Sequence, residues 1–213
     1  MPRSPSRQRS APDKTLGGYR AKRDFARTPE PAAGAAPAAA SRRFVVHMHD
    51  ASRLHYDLRL EIDGVLKSWA VTRGPSLDPK VKRLAVHVED HPLSYVDFED
   101  VIPAGQYGAG PMIVWDRGHW VPMGDVGRQY AAGQIKFRLD GEKLGGGWTL
   151  VRLKGRGEDG RNWLLIKERD VFARGEAEGA VTEAQPRIVV SGQRVGELAH
   201  AGAPPAARRG RRR

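Results

Sequence analysis

Hydrophobic and polar residues alternate strictly from position 54 to position 61. The even-numbered positions are apolar and the odd-numbered positions are polar. Because successive side chains of a strand point to opposite faces, this pattern predicts a strand with a core face and a polar face. The predicted core face consists of Leu54, Tyr56, Leu58 and Leu60, and the polar face of His55, Asp57, Arg59 and Glu61.

A two-residue turn follows this strand. Asp63-Gly64 stands between two alternating runs and is a strong signal for a β-hairpin. A tight turn there pairs Ile62 with Val65, and the same register places Ser68 opposite Arg59. The predicted sheet face therefore combines a hydroxyl, a guanidinium, an imidazole and a carboxylate, which suits an anion held beside a metal, with Arg59 as a bidentate clamp.

Further short runs predict an all-β fold. Residues 116–118 are interpreted as a turn, residues 101–110 as a loop and residues 124–134 as a short helix. In the run 84–89, Leu84, Val86 and Val88 share one face. His87 alternates with these core residues and is interpreted as a structural residue. Short strands with regular turns and no long amphipathic helix favour an antiparallel barrel or sandwich with short flanking helices. The other predicted strands are 44–48, 112–115, 119–121, 135–139, 149–153 and 163–167.

The net charge of +11 lies mainly at the two ends of the chain. Residues 1–42 hold nine Lys/Arg against three Asp/Glu, residues 173–213 eight against four, and residues 43–172 nineteen against eighteen. We therefore predict a basic, mostly flexible N-terminal arm (1–42) with a docking segment at 19–31, a β domain (43–172) and a flexible basic tail (173–213). Basic arms favour contact with a polyanion, although solubility alone would also explain them.

Several classes of protein are excluded by what the sequence lacks. There is no cysteine, so any metal must be held by His, Asp, Glu or water. No run is long and apolar enough to cross a bilayer, and the first residues lack the apolar core of a signal peptide. These features fit a cytoplasmic location, and no membrane partner is expected.

Three clusters carry candidate chemistry: His47-x-His49, His55-x-Asp57-x-Arg59, and Glu89-Asp90-His91-Pro92 with Tyr95 beyond it. Two imidazoles and one carboxylate with open positions form a common set for a first-row metal. Such a metal polarises a phosphoryl oxygen and activates water, while His55, Arg59, Ser68 and Tyr95 hold or protonate the remaining oxygens. The alternatives are a solvated face with ordinary ion pairs and, for His47, a packed bystander.

The segment RFVVHMHDASRLHYDLRLEIDGVLKSWAVTRGPSLDPKVKRLAVHVEDHPLSYVDFEDVIPAGQYGAG resembles the 3′-phosphoesterase domain of bacterial DNA ligase D. The specific motifs are HDASRLHYDLRLE and VEDHPLSY. The likeness runs from Tyr19 to Asp170 and includes YRAKRDFARTPEP, GEKLGGGWTLVRLKG and NWLLIKERD.

The resemblance implies a small antiparallel β-barrel with a crescent-shaped groove. It also implies an activity that depends on a divalent metal, typically Mn²⁺, with Co²⁺, Zn²⁺ or others as alternatives. The family removes a 3′-terminal ribonucleoside to leave a 3′-phosphate, and then removes that phosphate to leave a 3′-OH, in nonhomologous end joining. Carried over by motif, the metal ligands are His49, Asp57 and His91, the catalytic residues are His55, Arg59 and Tyr95 with Ser68 and Arg83 as helpers, and the substrate-binding residues are Arg73, Asp24 and Glu30.

The sequence departs from the family pattern at a few positions. Arg73 stands where a Lys is common, His47-Met48 replaces Gln-Lys, and Ala104 replaces a frequent Glu. None of these changes removes a motif ligand. They leave open the substrate preference and the role of His47.

We expect a stand-alone enzyme, because no Lys-x-Asp-Gly adenylation motif occurs in the sequence. The expected partners of the monomer are DNA or DNA–RNA 3′ ends and a separate DNA ligase, polymerase and Ku-type end-joining proteins. Two alternatives remain open: a non-catalytic DNA-end-binding accessory module, and a cupin-like metal enzyme acting on small molecules.

Overall fold

The computed structural model describes residues 15–32, 42–155, 159–178 and 180–187, together with residues 189, 195 and 197. Most of the two predicted tails and of the linker between the docking segment and the β domain lie outside the described residues. Strands make up most of the described chain: β1 (Arg43–Asp50), β2 (Leu54–Ile62), β3 (Val65–Val71), β4 (Lys82–His87), β5 (Asp100–Ile102), β6 (Gly110–Pro122), β7 (Gln134–Gly141), β8 (Gly145–Arg152) and β9 (Asn162–Lys167). The described helices are α1 (Gly17–Ala21), α2 (Val126–Ala132) and α3 (Val181–Ala184), with 3-10 turns at Leu93–Asp97 and Glu176–Glu178.

Eight of the strands close into an antiparallel barrel. Their order is β1-β2-β3-β4-β9-β8-β7-β6, and β6 pairs back with β1. The short strand β5 pairs with the first residues of β6 and lies outside this closure. The predicted all-β class with a small antiparallel barrel is therefore confirmed.

The predicted hairpin forms with the predicted register. Asp63 and Gly64 both have positive φ, 51° and 78°, as the tightest hairpin turns require. Ile62 pairs with Val65, and Arg59 pairs with Ser68. The turn alone thus determines which side chains of β2 and β3 share a face.

Two hydrophobic clusters lie on opposite sides of the sheet formed by β1, β2 and β3. The first fills the barrel and contains Tyr56, Leu58 and Leu60, as the alternation predicts. Leu54 differs and is 45% exposed, because it is the first residue of β2. The second cluster lies on the outer face, where α1, the 3-10 turn at Leu93–Asp97 and β5 cover the sheet; it contains Leu16, Tyr19, Val45, Val65, Leu66, Leu93, Tyr95, Val96, Phe98, Ile102, Met112 and Val114.

In β4 the structure corrects the predicted face. Ala85 is fully buried in the barrel interior, whereas Leu84 is 39% exposed. His87 shares the face of Ala85 and packs its ring against Trp69, 5.3 Å away between centroids. The interpretation of His87 as structural agrees with this packing.

The predicted turn at residues 116–118 is wrong. These residues lie inside β6, a single strand of thirteen residues with an irregularity in its pairing to β1 between Val46 and His47. Asp116 is fully buried there and accepts hydrogen bonds from the backbone N–H groups of Lys143 and Leu144, both 2.9 Å away. A side chain at Gly118 would meet the Asp140 carbonyl, so the glycine allows close strand approach rather than a turn.

Residues near the C-terminus contact the barrel. Val181 of α3 is 5% exposed and joins the interior cluster, and the Trp115 indole donates to the Gln185 carbonyl at 2.7 Å. The division of the chain at residues 42 and 172 stays a prediction. In the part of the chain that the structure describes, no helix is both long enough and apolar enough to span a membrane.

Candidate metal and phosphate site

The polar face of β2 is buried rather than solvated. Asp57 is 5% exposed and Arg59 2%, because the second layer of the fold covers the outer face of β1, β2 and β3. A pocket of about 290 Å³ remains open between this face and the covering segments. Its lining includes Arg23, His49, His55, Asp57, Arg59 and His91.

Three side chains of this pocket can hold a metal ion. Potential ligand atoms of His49, His55 and Asp57 all lie within 4.8 Å of one another. The Nδ1 atom of His49 is 3.9 Å from Asp57 Oδ2, and Nε2 of His55 is 3.6 Å from Asp57 Oδ1. Two imidazoles and a carboxylate form a donor set that fits a divalent first-row metal.

The backbone orients both imidazoles of this triad. His49 Nε2 lies 2.8 Å from the Gly108 carbonyl, and His55 Nδ1 lies 2.9 Å from the Arg53 carbonyl. A carbonyl only accepts, so each of these nitrogens carries the proton of the neutral imidazole, and the lone pair of that form is on the other nitrogen. The lone pairs of both rings belong to the nitrogens nearest Asp57, which is the arrangement that a metal ligand needs.

His91, expected as the third ligand, lies outside this triad. Its Nδ1 is 2.9 Å from Arg59 Nη1 and 2.9 Å from the Glu89 carbonyl, and its Nε2 is 3.2 Å from Arg23 Nη2. Burial, with the charges of Arg59 and Arg23, holds the pKa of His91 well below its usual range. A neutral imidazole between two guanidinium groups lies in surroundings that attract an anion and repel a cation.

Arg59 is already strongly engaged by the protein. Nε donates to His47 Nδ1 at 3.2 Å, Nη1 contacts Ser68 Oγ and His91 Nδ1, both at 2.9 Å, and Nη2 donates to Asp57 Oδ2 at 2.9 Å. Because His91 Nδ1 also faces the Glu89 carbonyl, only the contacts with His47, Ser68 and Asp57 are independent of the tautomer of His91. The predicted bidentate clamp is therefore already largely engaged by protein partners, with the full positive charge behind it.

Arg23 is a site residue that the sequence reasoning missed. It lies in the segment 22–32 after α1, with Nε 2.7 Å from Glu30 Oε1 and Nη1 3.1 Å from Glu89 Oε1. Its guanidinium also lies 3.9 Å from the ring centroid of Tyr19. The signal in the sequence was the mixed aromatic and charged run YRAKRDF, but only the packing of this run against the barrel directs Arg23 into the pocket.

Two expected site residues support the arginines. Glu30 is 4% exposed and accepts from Arg23 and from the Tyr95 hydroxyl, 2.8 Å away. Burial raises the pKa of Tyr95 well above its usual value. The Tyr95 proton is thus directed to Glu30, and the Arg59 guanidinium lies 4.9 Å from the Tyr95 ring centroid.

Four other expected site residues do not line the pocket. Ser68 is fully buried and links Arg59 to the Leu66 carbonyl. Asp24 is exposed and accepts from the Ala26 N–H in a local turn. Arg73 is exposed in the turn after β3, and Arg83 shares the Ala85 face of β4. Asp24, Arg73 and Arg83 are not brought into the lining of this pocket.

His47 is fully buried beside the site. Burial holds the pKa of His47 well below its usual range, with the charge of Arg59 as the next cause. Its neutral Nδ1 accepts from Arg59 Nε, and its ring packs edge-on against Tyr95, with centroids 5.7 Å apart. His47 therefore contacts two residues of the pocket and is more than a packed bystander.

Comparison with known proteins connects this pocket to one family. A family model described as the DNA Ligase D 3′-phosphoesterase domain matches residues 47–152, which include His49, His55 and Asp57. The chain is 52% identical over 202 residues to the multifunctional non-homologous end joining protein LigD of Pseudomonas aeruginosa, a match that covers 93% of this chain and 24% of that protein.

Two mycobacterial relatives extend the comparison. The chain is 42% identical to the multifunctional non-homologous end joining protein LigD of Mycolicibacterium smegmatis, over 73% of this chain and 21% of that protein. It is 43% identical to the multifunctional non-homologous end joining DNA repair protein LigD of Mycobacterium tuberculosis, over 66% of this chain and 18% of that protein. The chain thus spans about a quarter or less of the length of the curated relatives it matches.

Proposed function

Since the chain belongs to the DNA ligase D 3′-phosphoesterase domain family, we propose that it is a metal-dependent phosphoesterase that processes DNA 3′ ends in end-joining repair. It removes a 3′-terminal ribonucleoside to leave a 3′-phosphate and then removes that phosphate to leave a 3′-OH. The observation that carries this proposal is the metal triad beside a buried pair of arginines. The triad offers a cation site and the arginines offer an anion site in one pocket.

We assign the metal to His49, His55 and Asp57, and His91 to the phosphate side of the pocket. This exchanges the sequence-based roles of His55 and His91. The donor set supports a divalent ion, and we propose Mn²⁺. When bound, the ion supplies a Lewis acid for a phosphoryl oxygen and lowers the pKa of a bound water.

Arg59 and Arg23 hold the scissile phosphate in this proposal. Each guanidinium is oriented by several protein partners and directs its Nη2 atom toward the region of His91 or Asp57. Preorganised donors of this kind stabilise the charge that develops on phosphoryl oxygens without reorganising during the reaction. Tyr95, Ser68 and Glu30 act by positioning these two arginines. Arg73 and Asp24 remain proposed contacts for the substrate outside the pocket, and Arg83 remains a proposed catalytic helper.

The substrate ends and the partners are also proposals. The relatives are named as multifunctional end-joining proteins, so we infer that DNA or DNA–RNA 3′ ends are the substrates. A DNA ligase, a polymerase and a Ku-type protein would act on the same break in the cytoplasm, near the nucleoid. The basic termini of the sequence favour such a polyanionic target.

An end-processing assay tests the function. A primer–template with a 3′-terminal ribonucleotide, and a second with a 3′-phosphate, are incubated with the protein in Mn²⁺ and in EDTA. We expect both ends to become 3′-OH in Mn²⁺ only, and Asp57→Asn to abolish turnover. A wild-type protein that binds both ends without converting either would instead support the end-binding module.

A further inference from the structure

The loop at residues 103–109 forms part of the wall of the pocket next to the metal triad. Its Gly108 carbonyl accepts from His49 Nε2 at 2.8 Å, so the loop is attached to one metal ligand. Backbone hydrogen bonds from Gln106 N–H to the Pro103 carbonyl and from Ala109 N–H to the Gln106 carbonyl shape the loop. The residue before Gly108 is therefore held at a defined place beside the site.

That residue is Tyr107, an aromatic side chain in the pocket lining. It is 51% exposed, in contrast to Tyr95 and Tyr19, which are fully buried on the same side of the sheet. A single exposed tyrosine is ordinary on a protein surface. By contrast, an exposed ring in the wall of a pocket that also contains two buried arginines is placed to contact a ligand bound in that pocket.

Cationic side chains from the N-terminal segment lie against this ring. Lys22 Nζ is 4.5 Å from the ring centroid and donates to the Tyr107 hydroxyl at 3.3 Å, and Glu89 fixes the lysine at 2.9 Å. The Arg23 guanidinium is 5.8 Å from the same centroid. An aromatic ring interleaved with cations is the arrangement by which proteins bind single-stranded nucleic acid, with bases stacked on rings and phosphates on the cations.

We propose that the Tyr107 ring is a stacking platform for one nucleobase of the substrate strand. The base is that of the nucleotide whose 3′-oxygen carries the scissile phosphate. This nucleotide is present in both steps of the proposed function, on which the inference rests, whereas the departing ribonucleoside is absent from the second step. Tyr107 thereby selects a nucleic-acid end over a small phosphate ester.

The test compares two 3′-phosphate strands that differ in one base. In one strand the terminal nucleotide carries its base, and in the other it is a tetrahydrofuran analogue without a base. The ratio of kcat/KM for these two substrates is measured for the wild type, Tyr107→Phe, Tyr107→Leu and Tyr107→Ala. Because the ratio is taken within each variant, a general loss of activity cancels from it.

We expect the wild type and Tyr107→Phe to prefer the base-bearing strand by roughly tenfold or more, as stacking on an aromatic ring contributes. Tyr107→Leu and Tyr107→Ala should bring the ratio close to one. A wild-type ratio near one, or an unchanged ratio in Tyr107→Leu and Tyr107→Ala, overturns the inference. If the wild type converts neither strand, the proposed function itself has failed, which is a different result.

Discussion

At the scale of single residues, the two roles that we propose for histidine in this pocket follow from different neighbours. His55 has a backbone carbonyl on one nitrogen and Asp57 near the other. His91 has arginines near both of its nitrogens. A divalent cation is stabilised beside the first ring and repelled beside the second.

Metal binding should therefore distinguish the two histidines. We expect His55→Ala to lose Mn²⁺ binding measured by calorimetry, because the triad loses one of its two nitrogens. His91→Ala should keep Mn²⁺ binding while turnover of a 3′-phosphate falls by about 10²-fold or more, as for the loss of one group that stabilises the developing charge. Loss of the ion in His91→Ala with its retention in His55→Ala would restore the assignment made from the sequence.

His47 should act on turnover through the orientation of Arg59. His47→Gln keeps a neutral acceptor for Arg59 Nε, whereas His47→Leu removes the acceptor from a fully buried site. We expect kcat of His47→Gln to stay near the wild-type value and kcat of His47→Leu to fall by roughly tenfold, with Mn²⁺ binding kept in both variants. Equal kcat values in the two variants would show that the hydrogen bond to Arg59 has no effect on the reaction.

At the scale of elements, the segment 15–32 completes the site from outside the barrel. It brings Arg23 to the pocket and buries Glu30 between Arg23 and Tyr95. The side chains of Arg23 and Glu30 are 5% and 0% exposed, so their ion pair is shielded from water. The expected contribution of Glu30 to the site thus has a physical reason, because Glu30 orients Arg23 and Tyr95.

Removing the charge of Glu30 should cost much more than breaking a surface ion pair. We expect Glu30→Gln to lower the free energy of unfolding in urea by about 2 kcal/mol, because the buried Arg23 loses one of its two carboxylate partners and keeps only Glu89. The matched control is Glu142→Gln, which breaks a surface ion pair with Arg117. The side chains of Arg117 and Glu142 are 42% and 49% exposed, so this change should cost less than about 1 kcal/mol. Similar losses in both variants would contradict the importance of burial.

The Asp116 carboxylate in β6 is hydrogen-bonded to the residues just before β8. Its burial makes the stability of the protein depend on pH. Burial raises the pKa of the Asp116 carboxyl from 3.8 to about 6, against the backbone hydrogen bonds that favour its charged form. The native state therefore holds a proton between about pH 4 and pH 6 that the unfolded chain releases, so this group makes the protein less stable as the pH rises through that interval.

The contribution of Asp116 can be isolated with Asp116→Asn. A pKa difference of about two units corresponds to about 3 kcal/mol. We expect the unfolding free energy of the wild type to fall relative to that of Asp116→Asn by about this amount between pH 4 and pH 7, in urea titrations at each pH. A difference between the two proteins that is the same at every pH would contradict the raised pKa.

At the scale of the whole molecule, the charge is divided between a nearly neutral body and basic ends. Residues 204–213 alone include five arginines and no acidic residue. Contacts of such residues with phosphates release counterions, and each contact contributes about 0.9 to the slope of log K against log salt on duplex DNA. We propose that residues 43–172 and the segment 15–32 supply the pocket, and that the basic ends add long-range attraction to DNA.

Deleting residues 204–213 should therefore weaken DNA binding and make it less dependent on salt. We expect a shallower slope in binding titrations at several salt concentrations, with kcat at saturating substrate unchanged because the pocket is intact. Replacing the five arginines by lysine is the matched control, since it keeps the charge and should keep the slope. A slope that does not change on deletion would show that these residues do not contact phosphates.

The sequence by itself determined the local pairing of the chain and the types of residue at the site. Alternation at residues 54–61 and the Asp63-Gly64 turn were sufficient for the register of β2 and β3, because a two-residue turn leaves one pairing for the strands that it joins. The same pattern placed Asp57, Arg59 and Ser68 on one face. It failed in β4 and at residues 116–118, where burial depends on which strand lies alongside.

Only the tertiary structure decided what those residues can do. His55 and His91 are equivalent as residue types, and the choice between them depends on neighbours that are distant in sequence, Arg23 above all. Likewise, the polar face of β2 is buried because a second layer packs on it, a long-range contact that alternation does not encode. The physical reason is that hairpin register is set within a few residues, whereas charge, tautomer and burial in the pocket depend on segments that meet only when the barrel closes and is covered.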